Sequence, residues 1–276
     1  MPFLYLISDF FYFLLFYVFG YRKKVVLNNL QLAFPEKDKQ ELLRIRKKFY
    51  RHFTDLIVES VKAFTMTKGF VMRRYKFNNP ELLNELHKKG KGVIFVGAHQ
   101  ANWEWSCSLP MWVDMTCFGA YTRVGNKYFD KVLKSSRMKY GFDGYETTQT
   151  VEAMTQNFEE GKQGLYLLLS DQSPQVHKTY YWSEFMGVKV PIHTGAEMLA
   201  KRFDMAVVNY SVKKTRRGRF EVTLELITED PKSFDDYQIT DQYLAITERN
   251  IREQPEYYLW SHKRFKHRDK VPEEWR

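Results

Sequence analysis

The 276-residue chain predicts an α/β domain, a mixed and partly parallel sheet flanked by helices, behind an N-terminal hydrophobic membrane segment. Three observations predict it. Short apolar runs alternate with stretches of three- and four-residue periodicity through the middle of the chain, the pattern of strands followed by crossover helices. One such run, GVIFVG (residues 92 to 97), is continuously apolar, as a strand covered on both faces must be. Residues 2 to 20 are apolar apart from Ser8 and Asp9. No repeat, low-complexity stretch or shift of composition divides the remainder. The expected organisation is therefore an anchoring segment over 1–21 and one catalytic domain over 22–276.

The first element admits several readings. Its basic residues follow the apolar run, whereas a cleaved signal peptide carries them in front. A spanning helix needs about 20 apolar residues, and Asp9 near its middle costs about 2.5–3.5 kcal/mol. A helix lying at the bilayer interface would set Arg22, Lys23 and Lys24 among the headgroups. A buried core helix also fits the composition. Membrane attachment is favoured, with its geometry open.

Over residues 38 to 63, Leu42, Ile45, Phe49, Phe53, Leu56, Ile57 and Val61 recur three or four apart. This predicts an amphipathic helix, with Arg44, Arg46, Lys47, Lys48 and Arg51 on its outer face. A short helix opens at Asn79–Pro80 and closes at Gly90. Then follow a strand at 92–97, a helix from about Asn102 to Trp112 and a strand at 115–121. Helices near 126–140 and 149–160 precede a strand at 165–170. A helix near 193–203 leads to a strand at 205–212. KKTRRGR (213 to 219) reads as a basic turn into a strand at 219–228, and a last helix covers about 240–252.

Composition narrows the partners. The formal charge is +10 and 17% of residues are aromatic. The charge favours anionic partners, and the aromatic content favours apolar or interfacial contact. Cys107 and Cys117 are too few for a disulfide framework or a zinc site. Both sit in apolar surroundings, as buried free thiols do.

The chemistry concentrates after the strand at 92–97. Sites in α/β sheets lie beyond the carboxyl ends of the strands, and there the chain places His99 and, five residues on, Glu104. If the chain turns at 98–101 and a helix starts near Asn102, Glu104 can fold back onto the imidazole. It would accept from one ring nitrogen and leave the other to take a proton from an incoming hydroxyl. No protein nucleophile is required. A histidine beside a strand end is also a common structural group, so spacing alone leaves both readings standing. His-Glu-x-x-His, G-x-S-x-G and Walker phosphate-loop patterns are absent. Asn102 reads as a helix cap, and Trp103 and Trp105 as packing residues.

VGAHQANWEW, with its H-x4-E spacing, resembles the motif of the bacterial lipid A biosynthesis acyltransferases, a branch of the glycerophospholipid acyltransferase-like superfamily. Further blocks resemble that family in the expected order: YRKKVVLNNLQLAFPE (21 to 36), YTRVGNKYFDKVLKSSRMKYG (121 to 141), LLLSDQSP (167 to 174), FMGVKVPIHTGAEMLAKR (185 to 202) and QPEYYLWSHKRFK (254 to 266). The resemblance implies a glycerol-3-phosphate acyltransferase-like fold. It implies transfer of a fatty acyl chain from acyl-acyl carrier protein to a hydroxyl of a lipid A precursor. The setting would be the cytoplasmic face of the bacterial inner membrane, with no metal or organic cofactor. By the same analogy His99 is the base and Glu104 its partner, and Arg137 and Asp171 are further active-site residues. Related branches acylate other glycolipids or amino lipids, and the motif does not separate them.

A phosphorylated glycolipid acceptor, an acidic carrier protein and a membrane surface all suit a basic chain. Arg137 could bind phosphate or steady a thioester oxyanion, or it is a surface arginine on its helix. Asp171 stands at a strand end, a position equally suited to a turn before Pro174. Gln172 reads as a substrate contact or a turn cap, and Arg123, just past the strand at 115–121, as a lesser substrate contact. SHKRFKHR (261 to 268) reads as a headgroup-facing patch or a solvated tail. Two rivals are a nucleic-acid-binding protein, for which no motif is found and against which the apolar start argues, and a non-catalytic, basic membrane-peripheral binding protein.

Overall fold

A computed structural model describes residues 1–121, 125, 135 and 138–275. The expected helix near 126–140 lies almost wholly outside them. A seven-stranded sheet forms the centre, in the order β1-β9-β8-β2-β5-β3-β4. Its strands are β1 (Tyr75–Phe77), β2 (Val93–Gly97), β3 (Thr116–Tyr121), β4 (Phe142–Glu146), β5 (Gly164–Leu169), β8 (Ala206–Arg216) and β9 (Arg219–Thr228). Neighbours run parallel except for the hairpin β8–β9. A separate antiparallel hairpin joins β6 (Trp182–Phe185) to β7 (Val188–Pro191). The sheet is thus mixed, as predicted, and mostly parallel.

Strand β2 is central, and Val93, Ile94, Phe95 and Val96 are all buried. That is why it reads as an unbroken apolar run rather than an alternating one. Apolar clusters cover both faces. One includes Ile94, Val96, Val207 and Leu244, and the other Val93, Phe95, Val208 and Leu224.

Helix α3 (Lys39–Ala63) starts where Asp38 accepts a hydrogen bond from the Glu41 backbone N–H, at 2.8 Å. That cap satisfies one of the helix's orphan donors. Helices α4 (Lys68–Met72), α5 (Glu81–Lys88), α6 (Thr150–Glu159), α7 (Gly195–Phe203) and α8 (Gln238–Glu253) complete the flanking layers. The expected helix at 102–112 is a 3-10 helix, Trp103–Met111. Pro110 supplies no N–H to it, and Ser106 and Ser108 hydroxyls bond the carbonyls three residues back.

At the N-terminus, α1 (Pro2–Phe13) runs into a π-helical turn, Leu14–Val18. The chain then bends by 88° into α2 (Lys23–Ala33). No single helix among the described residues is long and apolar enough to cross a membrane; only that bent pair taken together passes on length and composition. Helix α1 lies on α3. Ser8 is buried and donates to Asp55 at 2.8 Å. Asp9 pairs at 2.7 Å with Arg217 from the β8–β9 turn, and Arg217 also grips Asp55. The two polar residues that interrupt the apolar run are therefore the ones that fasten it to the body. Phe3, Leu6, Phe10, Phe13 and Tyr17, spaced three and four apart, stay exposed on the other side.

Candidate active site

The site is built by strand register. In the β2–β5 pair Gly97 stands opposite Leu169. His99 lies two residues past Gly97 and Asp171 two past Leu169, so parallel pairing delivers both to one level beyond the sheet. The imidazole Nδ1 meets Asp171 Oδ1 at 2.7 Å. A carboxylate only accepts, so Nδ1 carries the proton and Nε2 keeps its lone pair. Gln172 sets its amide nitrogen 3.3 Å from Nε2, and the Trp103 ring meets the imidazole edge-on at 5.0 Å.

In place of the expected hydrogen bond to Glu104, the imidazole Nδ1–H donates to Asp171. The physical reason is local. Asn102 caps the 3-10 helix by accepting from the Trp105 N–H at 3.2 Å, and Glu104 lies in the first turn of that helix, on the wall of the cavity. Glu104 lines the same cavity as His99 and acts on it through its charge. Arg123 and Arg137 lie outside the described residues.

Electrostatics separate three histidines. Burial draws the His99 pKa down, but the Asp171 charge, its hydrogen bond and the charge of Glu104 more than offset this, and the pKa lies above the ordinary histidine value. Burial pushes the Asp171 carboxyl up, and the opposing charge and hydrogen bonds of His99 bring it below its ordinary range. His193, on the cavity wall, is held down by burial and by Arg264. His262 is lowered to about 4 by burial, with Lys266 and Arg264 adding to the effect. Of the three, His99 alone is shifted towards holding a proton more firmly than an ordinary histidine.

The cavity measures about 620 Å³, within the usual range for small-molecule sites. Leu167, Leu168, Leu169, Phe142, Met138 and Trp103 supply apolar wall, and His99, Glu104, Gln172 and His193 converge on it. An apolar bore beside an imidazole able to accept a proton suits a long-chain substrate that reacts at its polar end. Cys107 and Cys117 are buried and unbridged, and burial raises the Cys117 thiol to about 12. Among the described residues no three His, Cys, Asp or Glu side chains are grouped so as to hold a metal.

Sequence reasoning missed the strap that holds the site. Residues 257 to 264 clamp the two loops that carry His99 and Asp171. The Ala101 N–H donates to Tyr257 O (2.8 Å) and the Leu259 N–H to His99 O (3.0 Å). The Ser173 hydroxyl donates to Arg264 O (2.6 Å), and the Ser173 N–H to His262 Nε2 (3.2 Å). Asn29 of α2 in turn donates to the carbonyls of Trp260 and His262. Arg264 and Phe265 are fully buried, so SHKRFKHR is for its first half neither a headgroup patch nor a solvated tail. The apolar residues interleaved in WSHKRFK were the available signal.

Comparison with known proteins decides the family. The family model for bacterial lipid A biosynthesis acyltransferases matches residues 1–267. The chain belongs to that family. As an acyltransferase it is similar to three proteins of Escherichia coli (strain K12). The lipid A biosynthesis lauroyltransferase is 22% identical over 90% of this chain and 80% of its own length. The palmitoleoyltransferase is 21% identical over 90% and 79%, and the myristoyltransferase 20% over 86% and 73%. The acyltransferase therefore works in lipid A biosynthesis, transferring an acyl group to a lipid A-type acceptor, and His99 and Asp171 stand where its loops meet.

Proposed function

We propose that this acyltransferase moves a fatty acyl chain from acyl-acyl carrier protein to a hydroxyl of a lipid A precursor, with His99 as general base. The observation that carries the reading is the His99–Asp171 pair, with Nε2 available beside an apolar cavity. The acceptor hydroxyl replaces the Gln172 amide at Nε2. Its oxygen attacks the thioester carbonyl carbon as its proton passes to Nε2. Asp171 holds the tautomer and balances the imidazolium. The tetrahedral intermediate then expels the carrier thiolate, the C–S bond breaks, and the imidazolium returns the proton to sulfur. No covalent acyl-enzyme is needed. Arg137 and Arg123 are retained as candidate contacts to phosphate or to the oxyanion, and Glu104 keeps the base's proton affinity high.

Membrane attachment belongs to the same reading, at the cytoplasmic face of the inner membrane. The exposed stripe of α1 supports a helix lying in the interface rather than spanning it. Arg73 and Arg216 are exposed and Arg74 and Arg219 half-exposed around the β8–β9 turn, beside the first turns of α1, where they suit headgroup phosphates.

The experiment is transfer from long-chain acyl-carrier protein to a lipid A precursor, followed by mass. His99→Ala and Asp171→Asn are expected to lower kcat by ~10²–10⁴, with the fold intact by circular dichroism. Wild-type rates in His99→Ala would overturn the mechanism.

A further inference from the structure

We propose that Glu59, on the inner face of α3, is a positioning residue that ties the N-terminal helix to the catalytic loop and sets the placement of His99; the idea rests on His99 being the base. Glu59 is wholly buried, and all three of its acceptor oxygens are engaged. Oε2 accepts from Asn102 Nδ2 at 2.8 Å, Oε1 from the Tyr5 hydroxyl of α1 at 2.8 Å, and the backbone carbonyl from the Trp105 indole at 3.1 Å. Asn102 lies three residues after His99, and its other side-chain atom caps the helix that carries Trp103 and Glu104. One carboxylate thus spans the first helix of the chain and the loop that presents the base.

That loop needs outside support. Ala101 has φ 51°, a left-handed conformation that costs a non-glycine residue of order 1–3 kcal/mol and persists only where the surroundings impose it. Its N–H is held by Tyr257 O, and its carbonyl accepts from His52 Nε2 at 3.1 Å. His52 stands seven residues before Glu59 on the same face of α3. Burial keeps it neutral, helped by the nearby Lys214 charge, whose ammonium sits 3.3 Å from Nδ1. Glu59 and His52 therefore grip two consecutive residues of the loop from one helix. Burial pushes the Glu59 carboxyl up to about 7, against the pull of Lys214 and its hydrogen bonds. A buried carboxyl in that position is costly without a task. Ordering a strained loop is one, and a short apolar side chain at residue 59 would leave Asn102 and Tyr5 unpaired.

The test uses the full chain with Glu59→Ala, Glu59→Gln, Asn102→Asp and the exchanged pair Glu59→Gln/Asn102→Asp. Acyl-transfer kcat and donor KM are measured separately, and the His99 ring nitrogens are followed by NMR. Glu59→Gln can still accept from Asn102 and donate to the Tyr5 oxygen, so kcat should stay within ~3-fold of wild type. Glu59→Ala should lower kcat ~10–100-fold with little change in KM, as expected when a base is misplaced by about an ångström. Asn102→Asp sets two carboxyls against each other and should lose kcat similarly, and the exchanged pair, with the amide now donating from residue 59, should recover most of it. Equal losses in Glu59→Ala and Glu59→Gln, or an exchanged pair no better than Asn102→Asp, would overturn the proposal. If Glu59→Ala does not fold, the exchange decides alone. If wild type shows no transfer, the reaction reading fails, and His99 resonances displaced in Asn102→Asp and restored in the exchange still support the positioning role. Resonances unmoved in Asn102→Asp would refute it.

Discussion

His99 was legible because a buried apolar strand that ends on a histidine is conspicuous. Its partner was not. Glu104 is five residues away in the chain and invites a local pairing, whereas Asp171 is brought 72 residues in sequence by the register of β2 against β5. Register depends on which strands become neighbours, and nothing within either segment states that. Gly97 shows the same non-local logic. A Cβ there would run into the Tyr210 ring, which stacks on Phe95 at 4.6 Å, so that glycine lets β8 close onto β2 just below the loop that carries His99. The residue-scale prediction concerns pH. His99 must be neutral to accept a proton, so kcat/KM should rise with pH through a pKa above the ordinary histidine value. Glu104→Gln removes one of the charges that favour the imidazolium. The rising limb should therefore move to lower pH, and the mutant should retain a larger share of its maximal rate under mildly acid conditions. Full pH–rate profiles of both proteins check this; a limb that stays put or moves up would show that Glu104 does not act on the base.

Among elements, those with a strong period were readable. Helix α3 carries 25 residues of three- and four-residue spacing, and β2, β5, β8 and β9 fall close to their predicted places. Strands β1 and β4 were missed because they are edge strands. The first is three residues long and the second reads FDGYE, where one covered face leaves too little apolar patterning to see. The short hairpin β6–β7 stands outside the main sheet and lacked a turn signal other than Met186–Gly187. Helix α1 was visible as an apolar run, but its orientation was not. Asp9 looked like a penalty against membrane insertion until Arg217, from the far end of the chain, supplied the counter-charge. The resulting helix packs Ser8 and Tyr12 against the body and leaves an apolar stripe on its outer side, where a soluble surface helix is polar. Replacing Phe10 and Phe13 by Glu should leave the thermal midpoint within about 2 °C, because both side chains face outward. It should cut co-flotation with phospholipid vesicles by ~10-fold or more, since each buried aromatic contributes about 1.5–3 kcal/mol. Undiminished flotation would place the membrane contact elsewhere.

At the scale of the molecule, the loop that carries His99 and the arginine-flanked, exposed apolar stripe of α1 lie towards one end of the sheet. Strand β8 runs parallel to β2, with Tyr210 opposite Gly97, and continues to Arg216. At about 3.3 Å per residue, the β8–β9 turn stands roughly 20 Å beyond the last β2 pair, on the side towards which His99 projects. Arg217 in that turn holds α1 through Asp9, and Arg73, Arg74, Arg216 and Arg219 gather beside it. The first three of these depress the pKa of Arg219, and among the described residues none of the four forms an ion pair with a carboxylate. The net charge of +10 predicted an anionic partner without locating it; the topology puts an uncompensated part of that charge next to the apolar stripe. Binding to vesicles containing anionic lipid should therefore have two separable components. Raising the ionic strength towards ~1 M, where the Debye length falls to about 3 Å, should remove the arginine contribution and weaken binding ~10-fold or more, while the aromatic contribution persists. An Arg73→Gln/Arg216→Gln/Arg219→Gln variant should bind anionic vesicles more weakly at low salt and show a flatter salt dependence than wild type. If the variant keeps the wild-type salt slope, the attraction to anionic lipid resides on another face, and the shared edge of sheet, turn and helix is not what brings the catalytic loop to its substrate.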